Sequence, residues 1–193
     1  MSYSLARSNR AFSRFATGLG IFYPALVYAL QSTLSQGGFV AIAVATIAMR
    51  VATLDKASAP LWRGPLLMAV PALLIVLLVA PGMAAKAYPV AMSLAAAAVF
   101  AGTLIAPPSL IEQIARLQEP DLSEEGQAYC RKVTLVWTVW LVLNALIAGL
   151  LGWTGQDSAW AIWTGIVAYA VMALLFLGEI AIRRRIRKKF VVS

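Results

Sequence analysis

The chain has 193 residues, 61% of them hydrophobic and 12% charged, with a mean hydropathy of +0.80 and a net charge of +8. Soluble domains run nearer half apolar and a quarter charged, so this composition belongs to a membrane protein. The absence of histidine excludes a Ser-His-Asp or Cys-His nucleophile pair and any imidazole metal site, and one cysteine excludes an internal disulfide.

A bilayer core about 30 Å thick needs about 20 apolar residues in a helix. Six segments approach that length: 15–34, 38–54, 65–81, 88–107, 132–153 and 159–181. The expected architecture is all-α, a polytopic bundle of about six transmembrane helices forming a single integral membrane domain, 1–193. The first segment contains Pro24 and follows a basic arm, 1–14, with Arg7, Arg10 and Arg14. Its apolar run is too long for a signal-peptide core, so a retained span is expected. The second is the weakest, because Arg50 lies within it. The third is bracketed by Pro65 and Pro81. In the fourth, Ala97/Ala101 and Ala98/Gly102 are spaced for close helix contact, within the chain or across a homo-oligomer interface. In the fifth, Asn144 at mid-depth is expected to donate a hydrogen bond to another helix.

Sorted by connection, fifteen of the sixteen Lys and Arg residues fall on one side, leaving Lys86 alone on the other. Positive loops stay in the cytoplasm, so both termini are expected there. The polybasic tail, 183–193, then marks topology and grips anionic lipid head groups, which explains it before nucleic acid does.

The cytoplasmic loop 107–131 holds five of the eight acids. Pro107 and Pro108 stop the fourth helix. Ser109 and Glu112 then read as a capping box. Leu110, Ile111, Ile114 and Leu117 share one helical face, opposite Gln113, Arg116 and Gln118, as in a short amphipathic helix at the head-group boundary. Glu119-Pro120 ends it, and Asp121 is placed to cap a helix beginning near Leu122. The acids of Glu119 to Glu125 have no metal-loop spacing, so capping and solvation are their expected roles, and neither metal nor cofactor is expected. Glu179 is the one acid inside an apolar helix, with Arg183 four residues on as its expected ion-pair partner. Arg50 needs a partner too, from Asp55, Glu179 or a loop acid. Tyr23, Tyr28 and Tyr169 could line a cavity or pack. Cys130 reads as a small buried thiol, since nothing nearby in sequence activates it.

The strings ARLQEPDLSEEGQAYCRKVTLVWTVWLVLN and GIVAYAVMALLFLGEIAIRRRIR resemble a family of small bacterial inner-membrane proteins. Its genes lie among those for aryl-polyene or related polyunsaturated lipid pigments, beside acyl carrier proteins, ketosynthases and acyltransferases. The resemblance covers about 110–187 well and the N-terminal half in hydropathy only. In the loop and at the membrane edge it rests on Arg116, Gln118, Glu119, Pro120, Asp121, Tyr129 and Arg131. In the spans it rests on Val133, Thr134, Trp137, Asn144, Tyr169, Gly178, Glu179 and Arg183. Cys130 stands where a threonine or another polar residue would be expected. Labels such as DNA gyrase or ketosynthase, which some members carry, do not suit six spans in a chain of 193 residues.

What the resemblance implies is an inner-membrane location and a pathway, not a mechanism. The first functional expectation is a non-enzymatic accessory that docks acyl carrier protein or other lipid-synthesis enzymes at the membrane. The second is a transporter of the lipid or pigment precursor, with a cavity among Tyr23, Asn144, Tyr169 and Glu179. The third is an acyl or glycosyl transferase using Glu119, Asp121 or Glu179 as base.

Overall fold

A computed structural model describes residues 22–54 and 59–191, with side chains as far as Ile182. Among the described residues every regular element is helical, and five helices are long and apolar enough to cross a membrane. The bilayer core offers no water to backbone N–H and C=O groups, and a helix satisfies them within its own segment.

Residues 22–30 form α1, the described part of the first expected span. Then come α2 (Gln36–Thr53), α3 (Ala59–Val79), the single turn α4 (Pro81–Ala84) and α5 (Ala87–Ile105). A short α6 (Leu110–Arg116) precedes the 30-residue α7 (Glu124–Trp153). The last span begins as α8 (Asp157–Ile162), passes through a π-wound stretch at Trp163–Val167, and continues as α9 (Ala168–Val191). The arm 1–14, the start of the first span, Asp55, Lys56 and the tail side chains lie outside the described residues.

Three local expectations change. The third span begins at Ala59, not Pro65, and carries Pro65 and Pro71 within it. A proline removes one helix hydrogen bond, but neighbouring helices can satisfy the freed carbonyl, so it is no boundary here. The cap of α7 is Ser123, which accepts from Gly126 N at 3.2 Å, and Asp121 is left exposed in the preceding turn. The capping box at α6 does not form. Ser109 Oγ is buried without a partner, and Glu112 turns to Arg116, which donates to Glu112 Oε1 at 2.9 Å. The free N–H groups of that helix are taken by hydroxyls of its neighbours. Leu110 N donates to Thr103 Oγ1 at 2.9 Å, and Ile111 N to Thr134 Oγ1 at 3.3 Å. On α6 Glu112 and Ala115 are buried against the bundle, while Ile114 and Leu117 are 51% and 84% exposed.

In the bundle, α5 lies between α7 and α3, and α2 packs on α3. Its core joins Tyr23, Phe39, Ile47, Leu73, Tyr88 and Trp160 with small residues such as Ala43, Ala69 and Ala84. Lipid competes with apolar side chains as a packing partner, so close backbone approach matters more here than side-chain bulk. Buried Thr46, Thr134 and Thr164 satisfy their hydroxyls on the carbonyl four residues back. Large residues such as Leu67, Leu78, Leu146 and Leu174 face outward, as a lipid solvent allows. Of the two small-residue pairs, Ala97 packs inward, whereas Ala98 and Gly102 are exposed.

Long-range hydrogen bonds and one ion pair sort the connections into two ends. Ala85 N donates to Gln36 Oε1 at 2.9 Å, and Lys86 pairs with Asp157, so the connections 31–35, 80–86 and 154–156 share one end. At the other end Arg131 Nη1 donates to Leu104 O at 2.9 Å, tying the start of α7 to the end of α5. Gly155, with φ +71°, makes the tight turn from α7 to α8 that a side chain would strain.

Candidate functional site

The polar centre of the bundle is Asn144 on α7, which is buried. Its Nδ2 donates to Ser93 Oγ on α5 at 2.9 Å, and its Oδ1 accepts from Trp163 Nε1 at 3.0 Å. The expected interhelical donor thus ties three helices together. Ser93 accepts that bond, so its own hydroxyl proton remains for another acceptor.

Beside this triad is a cavity of about 160 Å³. Pro24 of α1, Arg50 of α2, and Tyr88, Pro89, Met92, Ser93 and Ala96 of α5 form part of its wall. Leu141 and Asn144 of α7 and Thr164, Ala168, Tyr169 and Met172 of the last span complete it. Both prolines lie in the first turns of their described helical segments, and Pro89 there forfeits no intrahelical bond.

Arg50 is the one charged residue in this wall. It lies fourteen residues along α2 from Gln36, roughly 20 Å from the end shared with Lys86. Arg50 stands in the last turn of α2 and lines the cavity. Its charge acts on both Tyr88 and Tyr169, yet Arg50 Nε and Tyr88 Oη are buried without a hydrogen-bond partner of good geometry. Neither ion pair among the described residues includes Arg50. Those pairs are Lys86–Asp157 and Arg116–Glu112.

The expected site residues divide into separate places. Arg50, Asn144 and Tyr169 converge on the cavity. Glu179 does not: it lies ten residues beyond Tyr169 on α9, about 15 Å away along the axis, and is half-buried there. Tyr23 is adjacent to the wall, packed at a tilt of 47° against Tyr88 with ring centroids 4.5 Å apart, and its hydroxyl donates to Phe39 O at 3.2 Å. Tyr23 and Glu179 are thus not among the residues that line this cavity.

The loop residues form a second place at the other end. Arg116 donates to Pro120 O at 3.1 Å as well as to Glu112, which folds the chain back after α6. Glu119 and Asp121 are exposed there, and Tyr129 and Trp137 are half-buried on α7, with Trp137 near the Phe100 ring at 6.3 Å. Cys130 is buried, as expected. Arg183 lies beyond the described side chains.

Tyr88, Ser93, Thr164 and the two methionines were not legible as site residues. A lone serine or tyrosine in an apolar run has no pattern separating a cavity wall from ordinary packing. Among the described residues no three of His, Cys, Asp and Glu come together as a metal centre would need. No known protein family, curated protein or solved structure matches the chain.

Proposed function

We propose that the protein is a non-enzymatic accessory of fatty-acyl or aryl-polyene lipid assembly in the bacterial inner membrane, a six-span bundle with both termini cytoplasmic. The cavity carries this reading. A lining that mixes Arg50, Ser93, Tyr88 and Tyr169 with apolar Met92, Leu141 and Met172 suits an amphiphile better than a water-soluble substrate. Binding is favoured over group transfer because no carboxylate among the described residues lines the cavity, so no base stands beside the cation. Arg116, Arg131 and Lys132 cluster at the end opposite Lys86, which supports that end as cytoplasmic. Loop 107–131 and tail 183–193 would there meet anionic lipid and acidic acyl carrier protein.

A transporter of the same amphiphile is the second reading. It is favoured by the cavity wall, which draws on helices from both halves of the chain and on a π-wound stretch, a feature common at functional sites.

Lipid extracts of a deletion strain test both. The accessory reading expects the polyene or acyl-lipid product to disappear and precursors to accumulate, with rescue by the wild-type chain. Normal synthesis with product confined to the inner leaflet would favour transport, and an unchanged profile in both leaflets would overturn both readings.

A further inference from the structure

The Arg50 guanidinium is a charge without an ion-pair partner among the described residues, set in the last turn of a membrane-length helix against a cavity. A buried charge without a partner is costly, and an ionisable residue within a membrane-length helix marks a functional site by default. Around it the cavity offers neutral donors: the Ser93 hydroxyl, left free by its bond from Asn144, and the Tyr88 hydroxyl, which lacks a hydrogen bond of good geometry. Tyr169 lies in the same wall. One cavity wall thus holds these three hydroxyls and one positive charge, and its complement is a single negative charge with several acceptor lone pairs.

We propose that the cavity is a binding site for the carboxylate end of a fatty-acyl chain, with Arg50 as counter-ion and Ser93, Tyr88 and Tyr169 as hydrogen-bond donors. One guanidinium balances a monoanion, and its planar fork can meet both carboxylate oxygens. A volume of about 160 Å³ is smaller than the roughly 300–1,000 Å³ of drug-sized sites, so the cavity takes the head and first methylenes, not a whole lipid. Met92 and Met172 are adaptable walls for that chain. Asn144 positions the site by orienting Ser93 and Trp163 and does not itself hold the ligand. The inference rests on the lipid-accessory reading for the choice of an acyl ligand, while the site stands on its own geometry.

The test uses the full chain in nanodiscs of neutral lipid, titrated with palmitate and read by the emission of Trp163 and its neighbours. Saturable binding is expected for palmitate and about tenfold or more weakening in Arg50→Gln, as for loss of a charge-assisted bond. Ser93→Ala and Tyr169→Phe should each weaken binding by several fold, about one neutral hydrogen bond apiece. These two small changes keep the test decisive if Arg50→Gln does not fold. Methyl palmitate, which keeps the chain and lacks the charge, should bind about tenfold or more weakly. Equal affinity for the acid and the ester, or full affinity in the Ser93 and Tyr169 variants, would overturn the site. Tighter binding of phosphatidic acid than of palmitate would overturn the carboxylate assignment in favour of a phosphate head group. Palmitate binding that is lost in the variants, in a strain whose deletion leaves lipids unchanged, would retain the site and remove the pathway reading. A lipid defect on deletion with no palmitate binding would do the reverse.

Discussion

Asn144 joins side chains of two other helices at once. Removing it leaves Ser93 Oγ without its donor in a buried setting and Trp163 Nε1 without its acceptor in a part-buried one. Interhelical hydrogen bonds in bilayers average about 0.6 kcal/mol and reach about 1.7. With two bonds lost, Asn144→Ala should destabilise by about 1–2 kcal/mol, read as lowered resistance to unfolding in mild detergent. Ser93→Ala on that background should then add less than it does alone, since both changes remove one shared bond. Additive costs would show that the two residues do not interact.

At the scale of elements, α6 shows a helix start secured from outside itself. Its N–H groups rest on Thr103 and Thr134, whereas its own Ser109 makes no cap bond. Thr103→Val with Thr134→Val should therefore loosen α6 from α7 by about 1–2 kcal/mol, while Ser109→Ala should be near neutral or slightly stabilising. Maleimide labelling of the single native cysteine, Cys130, reports this: about fivefold or more faster in the threonine pair and unchanged in Ser109→Ala. A slower rate, or acceleration by Ser109→Ala alone, would refute the assignment.

These elements also show what was legible in advance. Spans were readable because bilayer thickness imposes a run length, and α2, α3, α5, α7 and the last span lie where apolar runs predict. The start of α3 was not, because Pro65 breaks helices in water but is tolerated within a bundle. The α6 caps were not, because their donors and acceptors lie 7 and 23 residues apart on different helices. Arg50, Asn144 and Tyr169 stood out as polar residues in apolar runs, but their meeting point depends on helix rotation, which hydropathy does not encode.

At the scale of the whole molecule, charge is distributed by end. One end carries Lys86 matched to Asp157, and the other carries Arg116, Arg131 and Lys132. With the cytoplasm on the second end, Gln156→Cys should react with an impermeant maleimide in intact spheroplasts, on a Cys130→Ser background. Gln118→Cys should react only after the membrane is opened. The opposite pattern would invert the orientation.

The π-wound stretch at Trp163–Val167 has a consequence for how this interior could be lost. Wider winding accommodates one residue more than an α-helix following the same path, and each residue turns a helix by roughly 100°. Rewinding it as ordinary α-helix with no residue removed would leave Trp160 in the core and swing Tyr169 and Met172 out of phase with Arg50, whereas deleting Gly165 would let ordinary winding follow the same path and keep them in place. The cavity is thus sensitive to helix winding as well as to side-chain chemistry. A change of winding alone would close it without altering any group that lines it.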